Sequence, residues 1–80
     1  MGNRQTTPLE GMLCRIFAEV LHRAEVNVDD DFFDVGGDSL LAIRAMHRVN
    51  KEAGAKTPVK AIFSQPTAAG LAKHITALTP

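Results

Sequence analysis

The chain has 80 residues, nine basic and nine acidic, and 45% of them are hydrophobic. That length fits one small domain burying roughly 60% of its unfolded surface, too little to wall a large catalytic cavity, and the apolar share excludes wholesale disorder. A single Cys14 excludes an internal disulfide and a cysteine-based metal site and points to a reducing, cytoplasmic setting.

No apolar run approaches the roughly 18 residues of a membrane span. Residues 1–7 are short and polar, and read as a frayed end or cloning remnant and not as a signal peptide, which leaves 8–80 as the domain. From Leu9 to Arg23 the residues Leu9, Leu13, Ile16, Phe17 and Val20 share one side of a 3.6-residue helix. Gly11, Arg15, Ala18 and His22 share the other. Pro8 suits the first turn, and Cys14 lies at the edge of the apolar side as a small hydrophobe. Residues 24–38 lose this period and gain two glycines and five aspartates, the composition of a long loop. Its Phe32 and Phe33 are expected to plug the open end of a helical bundle.

A second helix is predicted from Ser39 to Ala53, capped by Asp38 or Ser39 and stopped at Gly54. Ala42, Ala45, Met46 and Val49 fall on its inner arc; Arg44, His47, Arg48 and Lys51 fall on the outer one. Leu40 stands inside that polar arc, with Ile43 on its flank. Pro58 to Phe63 reads as a short helical segment presenting Val59, Ile62 and Phe63. A last helix runs from Thr67 to about Leu78, with Leu71, Ile75 and Leu78 on one face. Gly70 in its first turn implies a close neighbour, because glycine otherwise costs up to about 1 kcal/mol there. Strands are absent from this reading. The fold class is all-α, three main helices and one short one.

The balanced net charge hides an uneven layout. Residues 25–38 carry six acids and no base, whereas residues 39–80 carry six bases against Glu52 alone. The aspartates read as a solvated acidic rim, or as a surface that recruits a partner. Nucleic acid fits poorly, since the bases are scattered and exposed aromatics for stacking are lacking.

The stretch that carries chemistry is Asp31-Phe32-Phe33-Asp34-Val35-Gly36-Gly37-Asp38-Ser39-Leu40-Leu41. Two glycines allow a sharp turn, and then an acid and a serine meet the start of a helix. Ser39 projects there as a helix cap or as a reactive hydroxyl. A serine nucleophile needs a base and an orienting group. His47 lies two turns along the same helix, and His22 and His74 belong to other segments. Gly37-Asp38-Ser39-Leu40 spells the block of a serine esterase family, but the late Asp-x-x-His pair of that larger fold is missing. Leu41 likewise breaks the Gly-x-Ser-x-Gly elbow. A calcium loop counted from Asp31 fails because Phe33, Val35 and Ala42 occupy ligand positions. Gly36-Gly37 lacks the lysine and spacing of a phosphate loop, and the histidines with Cys14 show no zinc spacing. Self-contained catalysis and a metal site are therefore not expected.

The same stretch resembles the D-x-F-F-x-x-G-G-x-S-L signature of phosphopantetheine-binding carrier domains, closest to peptidyl carrier (thiolation) domains of nonribosomal peptide synthetases. Phe63-Ser64-Gln65-Pro66-Thr67, followed by Gly70-Leu71-Ala72, resembles that family's F-x-x-P-T…LA segment. The resemblance covers about residues 8–78 and departs at Thr57, where an apolar residue is usual before the proline. It implies an acyl-carrier-protein-like bundle that is not an enzyme. It also implies a 4′-phosphopantetheine arm on Ser39, donated by coenzyme A and flanked by Gly37 and Asp38, which holds aminoacyl or peptidyl groups as thioesters. Leu40, Ile43, Arg44 and Arg48 would form the docking face. The implied partners are a phosphopantetheinyl transferase, an adenylation enzyme or domain, condensation or tailoring domains and a thioesterase, met by a monomer. Neutral charge and the double phenylalanine and glycine favour the peptidyl type. Aryl and polyketide carriers stay open, as does, in a different class, a small helical interaction module with Ser39 only as a cap.

Overall fold

Threonine and glutamate three residues apart can satisfy each other's orphan backbone groups, and Thr7 and Glu10 do so. The Glu10 N–H donates to Thr7 Oγ1 and the Thr7 N–H to Glu10 Oε1, both at 3.1 Å. With Pro8 in the first turn, this box opens α1 (Pro8–Leu21). The folded unit thus takes in Thr7, one residue earlier than the polar end suggested. The computed structural model describes residues 6–78; residues 1–5 and 79–80, and the side chain of Leu78, lie outside the description.

α1 ends where His22 turns left-handed (φ 57°, ψ 44°) and the Arg23 N–H donates to the Ala18 carbonyl at 2.9 Å. That is earlier than the apolar periodicity alone implies. Leu13, Ile16 and Phe17 are fully buried, as expected. Ala18 is buried too, although periodicity set it on the outer side. α1 packs against α2 (Ser39–Ala53) on one flank and α4 (Ala68–Leu78) on the other, so its covered arc is wider than a single stripe.

In α2, Ala42, Ala45, Met46 and Val49 face the core, and Gly54 closes the helix in the left-handed region (φ 65°). The short α3 (Lys60–Ser64) starts two residues later than expected. Pro58 and Val59 supply only carbonyls to its entry turn, accepting from Ala61 at 3.0 Å and Ile62 at 3.1 Å. In α4 the Thr67 hydroxyl accepts the Gly70 N–H at 3.0 Å. A Cβ on Gly70 would stand 2.4 Å from Gln65 Oε1, which is the close neighbour its position implied. No strand occurs among the described residues.

The residue 23–38 loop is held, not free. The Phe32 N–H donates to Pro66 O at 2.8 Å and the Ala69 N–H to Val28 O at 3.0 Å, which ties the loop to the start of α4. Phe32 is fully buried, edge-on to Phe17 with ring centroids 4.9 Å apart. Burying a phenylalanine contributes roughly 1.5–3 kcal/mol, enough to hold an otherwise irregular segment. The radius of gyration of 11.6 Å is that of a compact chain of this length, so the loop lies on the helices and does not extend from them.

Thr57 is buried where an apolar residue would usually serve, and Asn50 explains how it is tolerated. The Asn50 carboxamide accepts the Thr57 N–H at 2.9 Å and donates to the Thr57 carbonyl at 2.8 Å. One side chain thus satisfies both backbone groups at the α2–α3 connection. Asn50→Ala should cost about 1–3 kcal/mol in urea unfolding, the scale of leaving such groups unpaired.

Candidate functional site

Ser39 is the first residue of α2 and is exposed. The cap of that helix is Asp38, whose Oδ1 accepts the Leu41 N–H at 2.9 Å from extended backbone (φ −141°, ψ −176°). Ser39 therefore does not cap the helix. Among the described residues its hydroxyl enters no side-chain hydrogen bond, and no histidine lies beside it in chain or turn.

Two glycines shape the approach for different reasons. Gly36 adopts φ +120°, which side chains rarely adopt, whereas a Cβ on Gly37 would lie 2.3 Å from the Phe32 ring. The Gly37 N–H also donates to Phe32 O at 2.9 Å. The buried ring thus seats the segment that delivers Ser39 to the surface. The aspartates form an exposed to half-exposed rim, and several of them also shape the loop. Asp30 Oδ2 accepts the Asn27 N–H at 2.9 Å, and Asp31 Oδ1 accepts the Phe33 and Asp34 N–H groups at 2.8 and 3.2 Å. These carboxylates, like that of Asp38, form turns that hold the loop's shape.

Beside Ser39 stands an apolar pair. Leu40 is 61% exposed and Ile43, one turn along, 51% exposed. Arg44 is exposed next to them. Ile43 and Arg44 also border a groove of about 610 Å³ between α1 and α2, lined further by Glu19, Val20, His22, His47 and Arg48. Sequence reading missed Val20 and His22 here. Val20 belongs to the apolar stripe of α1, and His22 reaches the groove only through its left-handed turn. A second apolar surface joins Phe33 and Phe63, stacked at 5.2 Å with an interplanar angle of 17°.

Arg48 lies apart from Arg44 in its partners. It pairs with Glu19 of α1 and approaches Glu52 at 3.8 Å, while Arg15 contacts Glu52 at 2.6 Å and Glu19 at 3.7 Å. The four charges alternate across the α1–α2 seam. The hydrogen bond from Arg48 holds the Glu19 carboxyl below the usual carboxylate range, and the guanidinium of Arg15, bonded chiefly to Glu52, is raised. A carboxyl depressed on folding adds stability above its unfolded pKa and loses it as pH falls through the folded value. Acidification below the ordinary carboxylate range should therefore weaken the seam. A carboxyl NMR titration of Glu19 should give a midpoint below that of an unpaired glutamate, and raised salt should bring that midpoint back up.

No metal-competent cluster of His, Cys, Asp and Glu occurs among the described residues, and no described helix is long and apolar enough to cross a membrane. An exposed hydroxyl that takes no part in capping its helix is open to modification from outside. A phosphodiester of pantetheine fits it, since nothing encloses the oxygen and the adjacent Leu40 and Ile43 leave an open apolar landing.

Comparison with known proteins agrees with this geometry. The family model for the phosphopantetheine attachment site matches residues 12–75. A dimodular nonribosomal peptide synthase of Bacillus subtilis is 51% identical over 69 residues, which is 86% of this chain and 3% of that protein. The phosphinothricin tripeptide synthetase PhsC of Streptomyces viridochromogenes is 42% identical over 78 residues, 95% of this chain and 7% of its own length. The chain thus spans only a few per cent of these curated relatives. Among solved structures, the type-II acyl-carrier-protein BlmI of Streptomyces verticillus superposes with a TM-score of 0.86 at 32% identity, covering 90% of this chain and 87% of that one. A peptidyl carrier protein solved with the phosphopantetheine transferase Sfp and coenzyme A gives 0.85 at 32% identity, covering 91% and 95%. With the four-helix bundle and the exposed serine at its second helix, these matches place the chain in the phosphopantetheine-binding carrier family, among the peptidyl carrier domains of nonribosomal peptide synthetases.

Proposed function

We propose that the protein is a peptidyl carrier whose Ser39 takes a 4′-phosphopantetheine arm from coenzyme A and presents aminoacyl or peptidyl groups to nonribosomal peptide synthetase enzymes. One observation supports this most: Asp38 makes the helix cap, so the exposed Ser39 hydroxyl has no structural task left. The reading of Ser39 as a mere cap in an interaction module loses its basis for the same reason. When bound, the group supplies a terminal thiol that carries an acyl group as a thioester.

The chain's own part is positional. Phe32 and Gly37 fix the loop, Asp38 starts the helix, and Ser39 Oγ stands in solvent at a defined corner. A transferase with magnesium must supply the base. Ser39 Oγ gives up its proton and forms one P–O bond while the bond to the adenosine bisphosphate of coenzyme A breaks. Leu40 and Ile43 then offer a small apolar contact, and Arg44 a free-standing charge that tunes encounter more than affinity. A patch this small suits transient docking, as successive partners sharing one arm require. These partners are the transferase, an adenylation enzyme or domain, condensation or tailoring domains and a thioesterase. Arg48 contributes less to docking than Arg44, because Glu19 and Glu52 already engage it.

Incubation with coenzyme A and a broad-specificity transferase should add the mass of one arm, on the peptide that contains Ser39. An unchanged mass, while a control carrier converts fully, would falsify the proposal. Leu40→Asp should keep the helix content yet slow loading by about tenfold, the scale of a lost leucine contact of about 1.4 kcal/mol. Equal loading and transfer rates with every cognate partner would remove Leu40 from the docking face.

A further inference from the structure

We infer that the Asp38 carboxylate keeps the first turn of α2 closed to the phosphate of an arm on Ser39, so that the arm leaves the domain unanchored at its root. The inference rests on Ser39 as the attachment point and adds a role for its neighbour. A phosphate at the first position of a helix ordinarily folds back onto the free N–H groups of that turn, where the helix dipole also favours negative charge. An arm seated in that way would begin from one fixed direction.

Here the place is taken. The Leu41 N–H already donates to Asp38 Oδ1 at 2.9 Å, and the Ala42 N–H to the Asp38 carbonyl at 2.8 Å. Of the first turn, only the Ser39 and Leu40 N–H groups remain for a second acceptor. A phosphodiester carries one negative charge, and the Asp38 carboxylate carries another at the spot the phosphate would need. Like charges crowded onto one helix end repel. Among the described residues no basic side chain is bonded to Asp38: Arg44 lies more than a turn further along α2, and Arg23 donates to the Val35 carbonyl at 3.3 Å. Asparagine would cap as well as aspartate from this extended backbone, so capping alone does not require the charge. Asp38 is thus a positioning residue, acting on the arm by exclusion.

The test compares the unloaded and loaded forms of the wild type and of Asp38→Ala, with intact mass confirming one arm in each loaded sample. Two readouts follow, hydrogen exchange of the Leu41 amide and transverse relaxation of the arm's phosphorus. In the wild type, loading should leave Leu41 exchange unchanged within about twofold, with the phosphorus relaxing as a mobile group. Unloaded Asp38→Ala should exchange Leu41 about fivefold faster, the scale of a lost cap. Loading that variant should restore protection and quicken phosphorus relaxation, because the phosphate then takes the vacated cap. An ordered phosphorus with altered Leu41 exchange in the wild type would overturn the inference. So would a loaded Asp38→Ala whose Leu41 stays unprotected, since nothing would then need excluding. Should the variant fail to fold or to load, the wild-type pair decides alone by the same two readouts. A wild type that gains no mass refutes the attachment reading itself, whereas a mass gain with the wrong exchange pattern overturns only the role of Asp38.

Discussion

Alanine at position 39 should leave the protein unable to take up even one phosphopantetheine arm, yet folded as before. The first half follows from chemistry, because the methyl group has no oxygen to form the phosphodiester. The second half follows from the cap. Asp38, not Ser39, accepts the Leu41 N–H, so the substitution removes no hydrogen bond that α2 uses. Stability should change by no more than about 0.5 kcal/mol, the ordinary range for an exposed site. Asp38→Ala should show the opposite pattern in unfolding, with a loss of about 1 kcal/mol. Intact mass and urea denaturation of the two variants separate the roles of neighbouring residues. Loss of cooperative folding in Ser39→Ala would mean that the hydroxyl is structural after all.

The second large effect is expected at Phe32. Its ring is fully buried against Phe17, and its backbone joins the loop to Pro66 and Gly37. Phe32→Ala should cost about 3–5 kcal/mol, the usual penalty for emptying an aromatic site. A domain of this length holds only about 4–12 kcal/mol in all, so a large unfolded fraction at room temperature is within reach. Loading of Ser39 should fall in parallel, because the corner that presents it is seated on that ring. Gly37→Ala supplies the internal check. Its new Cβ would lie 2.3 Å from the ring and 2.7 Å from the Phe32 carbonyl. In the Phe32→Ala background the first clash is gone and the second remains. The two substitutions should therefore be non-additive, by about 0.5–3 kcal/mol in a double-mutant cycle. Simple additivity would show that the ring does not hold the glycine.

The uneven charge layout takes on a different meaning once contacts are known. Six acids in one loop suggest a field that attracts partners, but the carboxylates of Asp30, Asp31 and Asp38 accept backbone N–H groups. They hold the loop's shape as well as carrying its charge. The basic outer face of α2 divides in the same way. Arg44 remains available beside Leu40 and Ile43, whereas Arg48 is drawn into the seam with Glu19.

Much was legible from residue order alone. The extent of α2, its buried Ala42, Ala45, Met46 and Val49, the outward Leu40 and Ile43, and the motif around Ser39 depend on periodicity and local turn chemistry, which operate over a few residues. Burial of Phe32 follows from its being an aromatic in a loop otherwise rich in aspartate and glycine. What only the tertiary structure decided involves partners distant in the chain. Ala18 is covered because a second helix flanks α1. Thr57 is tolerated because Asn50 reaches both its backbone groups. Arg48 is paired because α1 brings Glu19 alongside. Asp38 and Ser39 were interchangeable as caps on paper, and the backbone angle at Asp38 separated them by aiming one side chain at Leu41 and the other at solvent. Spacing along a helix determines which face a residue occupies, but only packing determines what that face meets.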